Sequence, residues 1–284
     1  EIADAGGGIL STMEKTKNEK REVLFQTACE RIERLYSYGV GTIEIKSGYA
    51  LEKDKEKEVS LLINDLKKEF AGRVQIFNTY LAAHAVPKNF ETSKDYMDSI
   101  VLPLLEELSG EEAIDAVDIF HEKGYFDEKD TRALFERAKS LNIALKIHAD
   151  EFNDNKGALM ASEYGALSAD HLLATGKDGI EALAKSQTVA TLLPGTAFFL
   201  GKPLANAKAF LEAGCKVALA SDYNPGSCHC DNLILIASMA GKNLGLNAAQ
   251  LWASITLNAA AALGLSDQGR LETGAKARLS FFEC

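Results

Sequence analysis

Short β-branched runs alternate with longer amphipathic stretches along almost the whole chain, and this alternation limits the fold more than any other feature. Strands are predicted over residues 42–47, 74–82, 117–120, 143–148, 167–170, 189–193 and 216–221. Helical periodicity predicts helices over 19–38, 52–70, 93–108, 128–141, 156–164, 178–186 and 204–213, with a largely helical remainder to about 263. Strands separated by helices pair in parallel through right-handed crossovers. A doubly wound sheet is one solution, but no Gly-x-Gly-x-x-Gly turn follows any strand. Polar residues instead stand just past nearly every strand: Lys46 to Tyr49, His84, Glu122, His148 to Glu151, Asp170 with His171, and Ser221 with Asp222. A closed barrel, which delivers every strand's carboxyl end to one mouth, accounts for that distribution. The expected architecture is therefore α/β, a (β/α)8 TIM-like barrel over residues 1–265 that lacks its first strand. The tail GRLETGAKARLSFFEC (269–284) changes character, and residues 266–284 are expected to be the remnant of a small β domain.

Charge and cysteine content narrow the partners. A formal charge of −10 argues against nucleic acid, which needs a basic footprint to displace counterions. A small-molecule substrate fits better. No apolar run approaches the ~20 residues of a membrane span. The opening residues, Glu1-Ile2-Ala3-Asp4, lack the basic start and apolar stretch of a secretion signal. Cys29, Cys215, Cys228, Cys230 and Cys284 are an odd set, too sparse for a disulfide framework, so reduced thiols in the cytoplasm are expected. Cys228-His229-Cys230 lacks the second spaced pair of a structural zinc site. Gly6-Gly7-Gly8 lacks the Gly-Lys-Ser/Thr of a phosphate loop and reads as a flexible connection.

Three of the five histidines end strands. His148 closes an alternating run and precedes Asp150 and Glu151. It is either a metal ligand, as a neutral imidazole at a barrel mouth, or a core histidine bonded to a carbonyl. The adjoining carboxylates favour the ligand. His171 is placed equally well to move a proton or to cap its loop. Asp222 leaves an apolar strand, where an unpaired carboxylate is costly and a cation removes the cost; the alternative is a helix cap. Tyr49 and His84 are candidate donors to an anionic group, against the commoner fate of a half-buried ring. His121, within a strand end, reads as structural.

Taken in order, the stretches GGGILST (6–12), EIKSGYALEK (44–53), AAHAVP (82–87), LKIHADEF (145–152), SADHL (168–172), LLPGTAFFLGK (192–202), ALASDYNPGS (218–227) and TLNAAAALG (256–264) resemble the imidazolonepropionase family of the metal-dependent amidohydrolases. Eight motifs in sequence are specific, and HADE with SDYNPGS separates this family from most other amidohydrolases. The resemblance implies one divalent metal, zinc or iron, held by His148 and Asp222. It makes His171 the catalytic histidine, Glu151 a substrate contact that helps move protons, and Asp222 the relay to the leaving nitrogen. It gives Tyr49 and His84 the substrate, and Asn224, Gly226 and Ser227 the ring-opened product. The implied reaction is hydrolysis of the ring amide of 4-imidazolone-5-propanoate to N-formimidoyl-L-glutamate. Such an enzyme is expected in the cytoplasm, with a homodimer as its possible assembly.

Several positions depart from the family pattern. A His-x-His pair on the first barrel strand and a nearby substrate-binding arginine are expected of the family, and no His-x-His occurs here. Ala50 stands where the family usually has Gly, His121 where it often has Cys, Lys17 for a common Arg, and Arg278 at a position usually acidic. The tail also stops before the family's usual end. On these grounds the 284-residue polypeptide is expected to be a fragment that binds metal poorly and turns over little. Another ring hydrolase or aminohydrolase of the superfamily, or a non-catalytic binding remnant, are the alternatives.

Overall fold

The computed structural model describes residues 9–282, with side chains from Thr12 onward. The glycines 6–8, expected to form a loop, and Cys284 lie outside the described residues. Two compact units emerge, one holding residues up to Ser37 with Gly41–Leu145, the other Tyr38–Val40 with the chain from Lys146 onward.

The first unit contains α1 (Ile9–Asn18), α2 (Arg21–Ser37), β1 (Thr42–Lys46), α3 (Lys53–Glu69), β2 (Gln75–Ala83), α4 (Ser93–Tyr96), α5 (Leu102–Gly110), β3 (Ala116–His121) and α6 (Glu128–Ser140). β1 and β2 pair in parallel from Thr42↔Gln75 to Lys46↔Thr79, and β2 pairs with β3 from Thr79↔Ala116. Ile32 of α2, Leu62, Ile63 and Leu66 of α3, Phe70, and Val74 and Ile76 on the β2 side form one buried cluster. Each such side chain contributes about 1.5–3 kcal/mol by leaving water. Asp127 and Asp130 close a capping box that starts α6. The helix predicted over 93–108 is interrupted. A π-helical turn, Met97–Val101, separates α4 from α5. Pro103 explains it, because a proline has no N–H for the carbonyl one turn back and its ring crowds that carbonyl.

The second unit contains most of β4 (Ala144–Ala149), then α7 (Gly157–Tyr164), β5 (Ser168–His171), α8 (Lys177–Ala184), β6 (Val189–Leu192), α9 (Pro194–Phe199), α10 (Ala207–Glu212), β7 (Val217–Leu219), α11 (Leu233–Leu244), α12 (Ala248–Ile255) and α13 (Leu257–Ala261). β4 to β7 pair in parallel in chain order. Their interior is built from small residues, with Val189, Ala218 and Ala262 in one cluster. α7 starts so close to β4 that a Cβ on Gly157 would stand 2.8 Å from that of Ala149. α9 was not anticipated by periodicity, since Gly195 weakens the pattern, although Pro194 at its first turn is a start signal. Residues 266–282 hold turns and bends, and no strand forms among them. A β-like run without a neighbouring strand has no ladder to complete. Lys276 N bonds Asp267 O and Ser280 Oγ bonds Gly39 O, which ties the segment into the second unit. No helix among the described residues is long and apolar enough to cross a membrane.

A buried carboxylate closes the β4–α7 connection. Asp150, 0% exposed, accepts from Asn155 N (3.1 Å) and Gly157 N (2.9 Å) on Oδ1, and from Ala158 N (3.2 Å) and Thr175 Oγ1 (3.0 Å) on Oδ2. Removing an acceptor shared by four inward-facing donors costs on the order of 3 kcal/mol. Asp150→Ala is expected to lower the unfolding free energy by that amount, read as a lower urea midpoint with an unchanged slope. Asp154→Ala, which removes a solvent-facing ion pair with Lys156 and a long bond from the Lys156 amide, is expected to cost no more than about 1 kcal/mol.

Candidate active site at the strand ends

Register brings the first group together. His148 on β4 is the Cα partner of Asp170 on β5, and Ala149 is the partner of His171. Both histidines are buried, at 8% and 3% exposure, and their rings stand 5.2 Å apart at 40°. A His148 ring nitrogen and an Asp170 carboxylate oxygen lie within 4.8 Å of each other. Ser168 Oγ donates to Asp170 Oδ1 at 2.6 Å, which orients the carboxylate along the strand. Glu151 follows in the loop after β4, its Oε2 3.7 Å from His171 Nε2. A buried imidazole nitrogen beside a buried carboxylate oxygen is a donor set that suits zinc or ferrous iron. His148 and Asp170 therefore fit such an ion, while Asp222, the second ligand that the resemblance implies, is not part of that group. Asp170 had no role in the reading of the sequence; the signal for it is the strand register, which sets it opposite His148.

The backbone at these strand ends is strained. Asp150 (φ 51°), His171 (φ 77°), Leu172 (φ 61°) and Asp222 (φ 47°) all adopt the left-handed region. Aspartate tolerates that region, whereas histidine and leucine do so at a cost of roughly 1–3 kcal/mol each. Two backbone bonds hold the β5 turn in place: Leu172 N to Ala149 O at 3.0 Å and Ala174 N to Asp150 O at 2.8 Å. Burial pushes the Asp150 carboxyl up, against the pull of the Gly157 and Ala158 amides and the Thr175 hydroxyl.

Asp222 emerges beyond β7, and its Oδ2 accepts from Thr196 Oγ1 at 2.5 Å. α9 sets that hydroxyl in place: a Cβ on Gly195 would meet Ile236 Cδ1 at 2.7 Å and Cys228 Sγ at 2.8 Å. The LLPGT stretch thus packs the short helix tightly enough to aim Thr196. Asn224, Gly226 and Ser227 form a closed turn. Asn224 Oδ1 accepts from Gly226 N and Ser227 N, both at 2.8 Å, while Asn224 Nδ2 donates to Asp222 O at 2.7 Å and Ser227 Oγ at 2.9 Å. These three predicted product contacts bond to one another and shape the loop after Asp222. Burial raises the Cys228 thiol, with Asp222 adding to the effect, and a protonated thiol is a poor metal ligand. His229 is exposed, its Nε2 2.9 Å from Pro225 O.

The first unit holds the other predicted contacts. Tyr49 meets His84 edge to face, with centroids 5.3 Å apart at 89°, and His84 meets Phe120 likewise at 6.0 Å. His84 Nδ1 lies 3.1 Å from Gly48 O. A carbonyl only accepts, so Nδ1 carries the proton. His121 behaves as the structural residue the sequence suggested. Thr131 Oγ1 gives its one proton to Asp127 O, so His121 Nδ1 donates to Thr131 Oγ1 at 2.9 Å. Asp118, inside the apolar β3, was missed. Its carboxylate is fully buried and paired with Lys46 Nζ at 2.6 Å. Glu44 completes this polar group, with Thr79 Oγ1 donating to it at 2.5 Å.

Comparison with known proteins supplies the family. The amidohydrolase family model matches residues 72–284. The chain is 40% identical over 279 residues to the imidazolonepropionase of Caldanaerobacter subterraneus, covering 98% of this chain and 67% of that protein. It is 41% identical to the imidazolonepropionase of Bacillus cereus, covering 100% of this chain and 67% of that protein. Among solved structures, a 5-methylcytosine deaminase from Klebsiella pneumoniae superposes with a TM-score of 0.73 at 17% identity, over 98% of this chain and 73% of that one. A guanine deaminase from C. acetobutylicum gives 0.69 at 16%, over 92% and 67%. These likenesses place the seven parallel strands in the amidohydrolase (β/α) barrel fold, as the alternation of elements led us to expect. Identity of this level across nearly the entire length decides the family: the chain belongs to the imidazolonepropionases of the amidohydrolase superfamily.

Proposed function

We propose hydrolysis of the ring amide of 4-imidazolone-5-propanoate to N-formimidoyl-L-glutamate as the activity of the complete enzyme, with one divalent ion, zinc or iron, held by His148 and Asp222; this chain spans 67% of the length of its imidazolonepropionase relatives and by itself is expected to bind metal poorly and turn over little. The observation that carries the reading is the group of buried His148 and His171 with half-buried Glu151 beside strained strand ends. Such strain persists where function requires it. A bound ion would polarise the water or the carbonyl oxygen and so supply the Lewis acid of the reaction. Thr196 holds Asp222 Oδ2 in one orientation, and such supporting bonds tune ligand geometry.

The chain's own groups account for the proton movements. Hydrolysis adds water to the ring carbonyl, breaks the C–N bond and delivers a proton to the departing nitrogen. His171 Nε2 and Glu151 Oε2, 3.7 Å apart, are an imidazole and a carboxylate close enough to hand a proton across through one small displacement. Protonated at Nε2, His171 would also steady charge growing on the carbonyl oxygen. Asp222 would pass the proton to the leaving nitrogen. Tyr49 and His84 are assigned to holding the substrate, with Tyr49 towards its propionate, and Asn224, Gly226 and Ser227 to the product. Ring size and charge make the substrate a small anion.

Two measurements test this. First, the complete enzyme is offered 4-imidazolone-5-propanoate beside guanine and 5-methylcytosine, and the products are read by mass spectrometry. Formimidoylglutamate is the expected product. Ammonia released from a purine or pyrimidine, with the imidazolone untouched, would overturn the assignment. Within that assay His171→Asn is expected to lower kcat/KM by about 10²–10⁴-fold with metal content unchanged. Second, dialysis against a chelator is expected to abolish turnover, and zinc or ferrous iron to restore it at one ion per chain. Turnover that survives complete metal removal would refute the metal's part.

A further inference from the structure

Glu56 stands in the first turn of α3 and is fully buried. Its Oε1 accepts from Gly48 N at 2.5 Å, and its Oε2 from Ala50 N and Leu51 N, both at 3.1 Å. These amides lie on both sides of one residue, Tyr49. The segment's carbonyls are held as well. His84 Nδ1 donates to Gly48 O at 3.1 Å, and the single proton of Tyr96 Oη is shared between Leu51 O at 3.2 Å and Ala82 O at 3.1 Å. The backbone needs such restraint. Gly48 has a φ of 96°, and a Cβ there would stand 2.3 Å from Leu81 O; Leu51, buried, has a φ of 58°. Burial, with the Glu56 carboxylate beside it, also raises the phenols of Tyr80 and Tyr96, so both stay protonated as donors.

Burying a carboxylate for three backbone bonds is an expensive way to close a loop, since an apolar filler and a different turn would serve stability as well. What the carboxylate secures is direction. The Tyr49 ring, only half-buried, leaves this clamped backbone and meets the His84 ring edge-on. We infer that Glu56 is a positioning residue, whose carboxylate clamps the chain either side of Tyr49 and thereby sets the Tyr49 phenol and the His84 imidazole. The inference rests on the proposed function only in taking these two rings as substrate contacts. Glu56 itself touches no substrate.

The test is Glu56→Gln in the full protein. The amide places an NH2 against a backbone N–H and loses one acceptor, at nearly constant volume. Uniform loss of ground-state contacts raises KM and spares kcat. KM is therefore expected to rise about tenfold, with kcat within about threefold of wild type. Nitrogen-15 spectra of labelled histidine are expected to show His84 leaving its single Nδ1–H tautomer in the variant without any substrate present. A purely structural Glu56 would lower the melting temperature and leave both readings unmoved, and that result overturns the inference. Should Glu56→Gln fail to fold, Glu56→Asp, which keeps the charge and shortens the reach, is read the same way; loss of folding in both also overturns it. If the wild-type protein leaves the imidazolone untouched, the proposed function fails while the tautomer still decides whether Glu56 sets His84.

Discussion

A loop that leaves the carboxyl end of a buried parallel strand carries amides that no ladder satisfies, and in this chain buried carboxylates take them up. A buried N–H without an acceptor costs as much as a lost hydrogen bond, so the demand is not optional. Glu56 meets it after β1 with three backbone amides, and Asp150 meets it after β4 with three backbone amides and one hydroxyl. Asn224 does the same on a smaller scale after β7, through its side-chain oxygen. Charge-assisted bonds of this kind are short and directional. These bonds restrain the loops that carry Tyr49, Glu151 and Asp222. Rigid placement of reacting groups is worth far more to a hydrolase than to a scaffold.

That rigidity explains how the strained residues survive. His171 and Leu172 occupy the left-handed region in succession, at the point where β5 must turn sharply. Left alone, the pair would relax into extended backbone and carry the imidazole away from His148. The Leu172 N to Ala149 O bond and the Ala174 N to Asp150 O bond oppose that relaxation, and Asp150 is itself held by the start of α7. Strain at β5 is therefore balanced by hydrogen bonds anchored on β4. The two strands that carry His148 and His171 act as one device.

Fold class was legible because strand and helix periods alternate so regularly. All seven predicted strands form, within a residue or two of their expected limits. The errors have local causes. Pro103 broke a helix that periodicity alone made continuous. Gly195 hid α9. The tail carries β-like residues yet finds no strand to pair with. At the site, strand-end imidazoles and the loop aspartate stand out as chemically pointed residue types, and Asp170 is visible beside His171, but the roles given to them come from the family resemblance. Glu56 and Asp118 do not stand out. Glu56 sits in the highly charged stretch KDKEKE, where a carboxylate reads as solvated, and Asp118 gains its meaning only through Lys46, 72 residues away. A buried charge is visible only once its partners are placed.

Deaminases of nucleobases share this architecture, so the barrel by itself selects no substrate. Selection must then lie in the loops beyond the strands, and these differ in what their polar atoms can still do. In the turn after Asp222, Asn224 and Ser227 spend their donors and acceptors largely on each other. A turn bonded in this way is preorganised; it offers a ligand a fixed shape rather than a reaching hand. The loop after β1 is different. Its backbone is consumed by Glu56, Tyr96 and His84, while the Tyr49 side chain stands half-buried at its tip. His84 has one nitrogen committed to Gly48 O, which fixes the orientation of its ring. On the proposed assignment, a phenol O–H beside a protonated imidazole would suit an anionic tail such as a propionate, and selection would then rest on two side chains and the carboxylate beneath them rather than on the fold.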